Sequence, residues 1–181
     1  MDIFKQKFTR LQNEIFRLLC MKNGISLNQR EIAKLLGVSP TAIAKSIGKL
    51  SEEGIIKIKK EGLINLTKIW LNTDNKLVIG LKRAENLKMI YESKITDFLE
   101  EKFPGSTIIL FGSYSRGEDN ISSDIDIAIV GAKEKGIDLK RFNKIFERIV
   151  TINFYPSFKE IDKNLRENIF NGIILFGGIK L

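Results

Sequence analysis

The sequence contains no histidine. That absence excludes a histidine general base, a histidine metal ligand and every catalytic triad built on one. One cysteine, Cys20, leaves no partner for an internal disulfide. Cys20 is expected as a core thiol on the first helix, and this cysteine usage fits a cytoplasmic protein. No apolar run approaches the ~20 residues that a membrane span needs, so no membrane contact is expected. The N-terminus, Met1-Asp2-Ile3-Phe4-Lys5-Gln6-Lys7, lacks a signal-peptide pattern. Internal repeats and low-complexity tracts are also missing. What is present is a chain of 181 residues, 43% hydrophobic and 29% charged, long enough for one domain or two small ones.

Charge divides this chain. Residues 1–82 carry 15 Lys/Arg against 7 Asp/Glu, whereas residues 83–181 carry 15 of each. The whole excess of +8 therefore lies in the first part. This asymmetry points to two modules, the first with a surface for a polyanion. A solvated lysine-rich surface would give the same count.

In the first part, Phe4, Phe8, Leu11, Ile15, Leu18 and Leu19 recur at helical spacing, which predicts a helix over about 2–21 ended by Asn23-Gly24. Asn28 with Glu31 reads as a capping box opening a second helix, whose buried face is expected to be Ile32, Ala33, Leu35 and Leu36. Gly37 stops it. Ser39 then caps a third helix with Pro40 in its first turn and Ile43, Ile47 and Leu50 inside. Ile55 to Ile58, a basic tip Lys59-Lys60-Glu61-Gly62, and Leu63 to Leu66 read as a hairpin. Three helices and such a hairpin resemble a winged helix-turn-helix domain of the MarR type, over about residues 1–70. The segment Glu31-Ile32-Ala33-Lys34-Leu35-Leu36-Gly37-Val38-Ser39 is close to what that family shows.

By that resemblance the third helix enters the major groove of double-stranded DNA, with Thr41, Ala42, Lys45, Ser46 and Lys49 outward and Ser39 at its start. None of these is an Arg, Asn or Gln, so phosphate contacts are expected to dominate affinity and base discrimination to be modest. Lys57, Lys59 and Lys60 on the wing would meet the backbone or minor groove. A homodimer is expected, because such regulators read two-fold sites. A winged helix serving only as a dimer or partner module is the alternative.

Residues 71–82, with the turn-rich Asn72-Thr73-Asp74-Asn75, are the expected linker. Trp70 is expected to pack between the modules or against the wing. Ala84 to Leu99 then carry the stripe of one helix from about Lys82 to Lys102, ended by Phe103-Pro104-Gly105.

The chemistry-bearing stretch follows. The apolar run Thr107 to Phe111 leads into Gly112-Ser113-Tyr114-Ser115-Arg116-Gly117, and Ser123-Asp124-Ile125-Asp126 leads into a second run ending at Val130. The pattern predicts strand, phosphate-binding turn, strand. On a strand, Asp124 and Asp126 share one face, where two carboxylates repel unless a cation sits between them. Hard oxygen ligands suit Mg²⁺, which keeps several waters and also binds substrate phosphates. Gly112 opens backbone N–H groups to a phosphate, Ser113 adds a hydroxyl, and Arg116 is a candidate clamp. An ordinary half-exposed strand with two solvated Asp would also fit the alternation.

Gly-Ser-x-x-x-Gly followed by Asp-x-Asp resembles the DNA polymerase β-like nucleotidyltransferase superfamily, most closely its minimal members, over about residues 83–181. The expected fold is thus two domains: an α+β winged helix-turn-helix over 1–70, a linker over 71–82, and an α/β polymerase β-like domain over 83–181 with a mixed sheet flanked by helices. A crossover helix from Leu139 to Phe146, a third strand from Ile149 to Phe154, a helix from Ile161 to Ile169 and an apolar end at Gly172 to Gly177 would complete it.

The resemblance implies Mg²⁺-dependent transfer of a nucleoside monophosphate from an NTP to a protein or nucleic-acid hydroxyl. Gly112, Ser113 and Arg116 would hold phosphates, and Asp124 and Asp126 the metal. The family usually adds a third carboxylate from the strand after the crossover helix. Here that strand reads Ile149-Val150-Thr151-Ile152-Asn153-Phe154-Tyr155 and has no acid; Asn153 is the nearest stand-in, and Glu147 and Glu160 only flank it. The departure leaves a second reading open: a transcriptional regulator whose degenerate transferase domain binds nucleotide or a partner without catalysis. A third is an antitoxin, since minimal transferases of this type pair with HEPN-type toxins.

Overall fold

The computed structural model describes residues 7–61 and 66–179. The chain divides into two compact units, Met1–Ile79 and Gly80–Leu181.

The first unit opens with α1, Arg10–Met21. The predicted start near residue 2 is too early. Thr9 is the N-cap, and its side chain and backbone exchange hydrogen bonds with Gln12, so a capping box begins the helix after Phe8. Phe8 therefore stands outside the helix, and Phe4 lies outside the described residues. Cys20 is fully buried on α1, as expected. Helix α2, Gln29–Leu36, is capped by Asn28, whose Oδ1 accepts from the amides of Arg30 and Glu31 at 2.9 and 3.0 Å while Glu31 accepts from the Asn28 amide at 2.7 Å. Leu35, expected inside, is 53% exposed. At 100° per residue the buried stripe is centred between Ile32, Ala33 and Leu36, and Leu35 falls off its edge. Gly37 ends α2 with φ +67°, a left-handed conformation that a side chain would resist. Ser39 caps α3, Pro40–Glu52, which buries Ile43, Ile47 and Leu50.

Strands β1, Ile56–Glu61, and β2, Leu66–Leu71, pair antiparallel. The expected tip residues Lys59, Lys60 and Glu61 thus belong to β1. The return strand is described from Leu66; its expected start at Leu63 lies, with Gly62, Ile64 and Asn65, outside the described residues. Alternation decides the register: Ile56 faces Leu71 and Ile58 faces Ile69, with Ile69 and Leu71 buried on the inner side. Leu27 joins Ile69 by two backbone hydrogen bonds, which ties the approach to α2 onto the sheet.

Residues 71–82 comprise the end of β2, the turn Asn72–Asn75 and the start of α4, Lys76–Glu92. The single helix predicted from Lys82 to Lys102 is two, α4 and α5, Ile95–Lys102. Ser93 makes the break: its hydroxyl donates to the Ile90 carbonyl at 2.7 Å and accepts from the Ile95 amide at 3.2 Å, and Lys94 turns at φ +64°.

The second unit is built on one mixed sheet. Its strands are β3, Thr107–Phe111; β4, Ile125–Val130; β5, Val150–Tyr155; and β6, Ile173–Phe176, in spatial order β5-β4-β3-β6. Neighbouring β3 and β4 run antiparallel, β4 and β5 parallel, and β3 and β6 antiparallel. The expected apolar end is therefore an edge strand. Between β3 and β4 stands a short helix, α6, Gly112–Arg116, where a simple turn was expected. Helix α7, Lys140–Phe146, makes the crossover to β5, and α8, Lys163–Phe170, follows it. One face of the sheet packs Ile109, Phe111, Ala128 and Val130 against Phe158, Ile161 and Ile169.

Candidate functional site

Asp126 is the second residue of β4 and heads the face that continues through Ala128 and Val130. Its neighbours in the sheet are Phe111 on β3 and Thr151 on β5. Asp124 precedes the strand by one residue and is exposed. Burial, and then the Asp124 charge, push the Asp126 carboxyl above its ordinary pKa. The two carboxylates therefore feel each other, although only Asp126 is placed by strand geometry.

Gly112 closes the other side. Its φ is +74°, and a Cβ built on it would meet Asp126 Oδ2 at 2.6 Å. Any side chain here would be strained by the backbone and would have to displace the Asp126 carboxylate. The turn after β3 thus lies directly against the acid on β4. Ser113 is half-exposed beside it, and Ser115 donates to the Gly112 carbonyl at 2.8 Å. Arg116 is placed at the end of α6 with its Nε donating to Glu118 at 2.7 Å and an Nη to Asn168 at 3.0 Å.

The segment from Gly117 to Asp124 is held from beneath by a buried charge cluster that sequence reasoning missed. Asp119, fully enclosed, pairs with Lys82 of α4 through Oδ1 and with Arg148 through Oδ2 at 3.1 Å. Asn86 donates to Asp119 at 2.7 Å and to the Tyr114 carbonyl at 2.9 Å. Arg148 also donates to the carbonyls of Asn120 and Ser123, the latter at 3.2 Å. Two cations and one anion, all buried, thereby fix both ends of the loop that delivers Asp124. A signal existed: Lys82 and Asn86 interrupt the buried stripe Val78, Lys82, Asn86, Met89, Ile90 of α4 at helical spacing.

On α3, Thr41, Ala44, Lys45, Gly48 and Lys49 are exposed, while Ala42 and Ser46 are only half-exposed. The expected outward set thus lacked Ala44 and Gly48. Ser39 uses its hydroxyl to cap the Ala42 amide at 3.2 Å, and Ser46 donates to the Ala42 carbonyl at 2.9 Å. Lys49 donates to the Lys7 carbonyl at 2.9 Å. On β1, Lys59 and Lys60 are exposed, whereas Lys57 is half-buried and paired with Asp74.

Residues 92–177 match the family model for a nucleotidyltransferase domain, and residues 20–57 match that for a winged helix-turn-helix DNA-binding domain. The chain joins a winged helix-turn-helix domain to a nucleotidyltransferase domain. No curated protein matches it. Similar solved structures include the adhesin competence repressor AdcR of Streptococcus pyogenes, 23% identical over 55% of this chain and 71% of that one, with a TM-score of 0.42. ZitR of Lactococcus lactis is 22% identical over 56% and 66%, TM-score 0.42, and a MepR–DNA complex of S. aureus 17% over 52% and 77%, TM-score 0.39. Likeness of this size does not bear on function.

Asp124 and Asp126 carry hard oxygen donors of the kind that suit a divalent metal. No described residue makes a salt bridge or hydrogen bond to either carboxylate, and burial, then the Asp124 charge, makes Asp126 hold its proton more strongly than usual. The third acid is another matter. On β5 the residue beside Asp126 is Thr151; Asn153, the expected stand-in, lies beside Ala128, one step further along. Glu147 is exposed at the end of α7, and Glu160 accepts from the Ser157 hydroxyl at 3.0 Å. Among the described residues, no group of three acids, cysteines or histidines could hold a metal ion. None of the described helices is long and apolar enough to cross a membrane.

Proposed function

We propose that this is a cytoplasmic DNA-binding protein whose second domain transfers a nucleoside monophosphate from an NTP to a protein or nucleic-acid hydroxyl. The close approach of Gly112 to the Asp126 carboxylate carries this reading, because it supports a site in which the candidate phosphate turn lies against one of the two acids. Gly112 and Ser113 receive the triphosphate, and their amides sit where no Cβ intervenes. Asp124 and Asp126 hold Mg²⁺, which supplies charge neutralisation at the phosphates when bound. Arg116, steadied by Glu118 and Asn168, lies at the same helix and contributes positive charge toward the phosphates. The Lys82–Asp119–Arg148 cluster keeps the loop before Asp124 in place.

The winged helix binds double-stranded DNA through Lys45, Lys49, Lys59 and Lys60, with Thr41 and the backbone near Ser39 and Ser46 in support, and Lys57 in a minor role. The small exposed residues Ala44 and Gly48 let α3 approach closely. A homodimer would present two such surfaces.

A second reading is favoured by one observation: β5 sets Thr151, not an acid, beside Asp126. On that reading the domain binds nucleotide or a partner, such as a HEPN-type toxin, without turnover. The test is incubation with Mg²⁺ and each α-labelled NTP, with and without nucleic-acid ends or a partner protein. Label transfer that vanishes in Asp124→Asn/Asp126→Asn while DNA binding persists supports the enzyme. Nucleotide binding without transfer supports the second reading.

A further inference from the structure

The mixed sheet of the second unit ends on β6 at one side and on β5 at the other. The two edges differ. Strand β6 has four residues, and its register on β3 shifts between Ile108 and Ile109, which blunts that edge. Strand β5 has six residues, follows β4 without a shift and carries no charged side chain. Ile149, the residue before it, is 61% exposed.

The parallel ladder decides which backbone groups of β5 are left over. The carbonyls of Ile149 and Tyr155 accept from the amides of Ile125 and Gly131. Odd-numbered residues of β5 therefore turn their backbone groups to β4, and Val150, Ile152 and Phe154 turn theirs outward. The Val150 amide donates to Asn143 Oδ1 at 3.0 Å. Among the described residues, none is hydrogen-bonded to the amides or carbonyls of Ile152 and Phe154.

A second β5, antiparallel and centred on Asn153, satisfies these groups. Ile152 of each copy then exchanges both backbone hydrogen bonds with Phe154 of the other. The next such pair would be Val150 with Pro156. The Val150 amide is already used and Pro156 has none, so the ladder stops there. In this register the strand is self-complementary. Ile152 meets Phe154 on the face where Phe154 packs on the Phe103 ring. On the other face Asn153 meets Asn153 and Thr151 meets Tyr155, each with a polar group. A foreign strand would have to supply this pattern, whereas the chain's own β5 has it.

We infer that β5 is the seam of a homodimer, two copies pairing edge to edge about a two-fold axis at Asn153. This gives the homodimer of the proposed function a surface, and it needs neither DNA binding nor turnover at Asp124 and Asp126.

Across the axis the two Asn153 Cα atoms would lie about 4.5 Å apart, within the span of a disulfide. Cys20 is fully buried and does not compete. The whole chain carrying Asn153→Cys is expected to form a covalent dimer under mild oxidation, and Thr151→Cys, which faces Tyr155, is not. Light scattering is expected to give twice the chain mass for the wild type. Asn153→Lys and Asn153→Glu are each expected to be monomeric alone, since like charges then face each other, and dimeric when mixed. A monomeric wild type overturns the inference. So does a dimer that survives in both charged variants, which would place the interface elsewhere, or one that mixing does not restore. Cross-linking of Thr151→Cys as readily as Asn153→Cys also overturns it. Circular dichroism checks the fold of each variant, and where a charged variant does not fold, the cysteine pair decides.

Discussion

On α3 and β1, Lys45 and Lys60 stand in solvent; in the second unit Lys82 and Arg148 are enclosed around Asp119. The same kind of charge has opposite physics in the two places. An exposed lysine keeps its hydration, contributes little to stability and remains available to a phosphate. An enclosed cation has lost its water, so its cost must be offset by a close anion and by carbonyl acceptors. Asp119 and the carbonyls of Asn120 and Ser123 provide these, and the result is a fixed loop before Asp124. Net charge alone hides this difference, since the second part of the chain sums to zero.

Removing the anion from the enclosed cluster is the most severe way to break the comparison. Asp119→Ala would leave Lys82 and Arg148 buried without their shared partner. It is expected to destabilise the second unit by about 3–5 kcal/mol, whereas Lys45→Ala on α3 should change stability by no more than about 0.5 kcal/mol. Urea unfolding of both variants measures this. A loss below about 1 kcal/mol for Asp119→Ala would mean that water reaches the cluster and that it does not hold the loop.

Legibility in the sequence follows the same division. The caps at Asn28 and Ser39, the stop at Gly37 and the apolar runs of β3 and β4 were readable because each depends on neighbours a few residues away. The acid pair and Gly112 were readable as a pattern, but the contact between Gly112 and Asp126 is a property of the β3–β4 register. The cluster of Lys82, Asn86, Asp119 and Arg148 was not read, because it joins α4, a loop and the connection from α7 to β5, and an enclosed lysine looks the same in sequence as a solvated one. The errors were local competitions. Thr9 and Gln12 overrode the apolar period at the start of α1, and Ser93 broke a continuous stripe.

A smaller effect is expected on the exposed side. Changing Lys45, Lys49, Lys59 and Lys60 together to Ala should weaken DNA binding across sequences. The slope of log affinity against log salt should flatten by roughly 0.9 for each phosphate contact removed. Lys57→Ala should add little, since its ammonium already pairs with Asp74. Binding measured over a salt series decides this, and an unchanged slope would show that these lysines are only a solvated face.

Asp126 lies between the two extremes, half-buried and beside a like charge, and its effect should be the smallest. Folding raises its carboxyl pKa through burial and through Asp124. A raised carboxyl favours the protonated form, so its contribution to stability is full below the unfolded value of about 3.9 and is lost as pH rises through the folded value. At pH 7, without divalent metal, the ionised group is therefore a net cost. Asp126→Asn keeps the shape and removes the charge, so thermal melting at pH 7 should rise slightly, and the gain should shrink as pH falls through the carboxylate range. Mg²⁺ should raise the melting temperature of the wild type more than that of the variant, because the ion relieves the same repulsion. If Asn brings no gain at pH 7 and Mg²⁺ acts on both proteins alike, the acid pair is a solvated surface feature, and the exposed and enclosed classes of charge have no intermediate at this site.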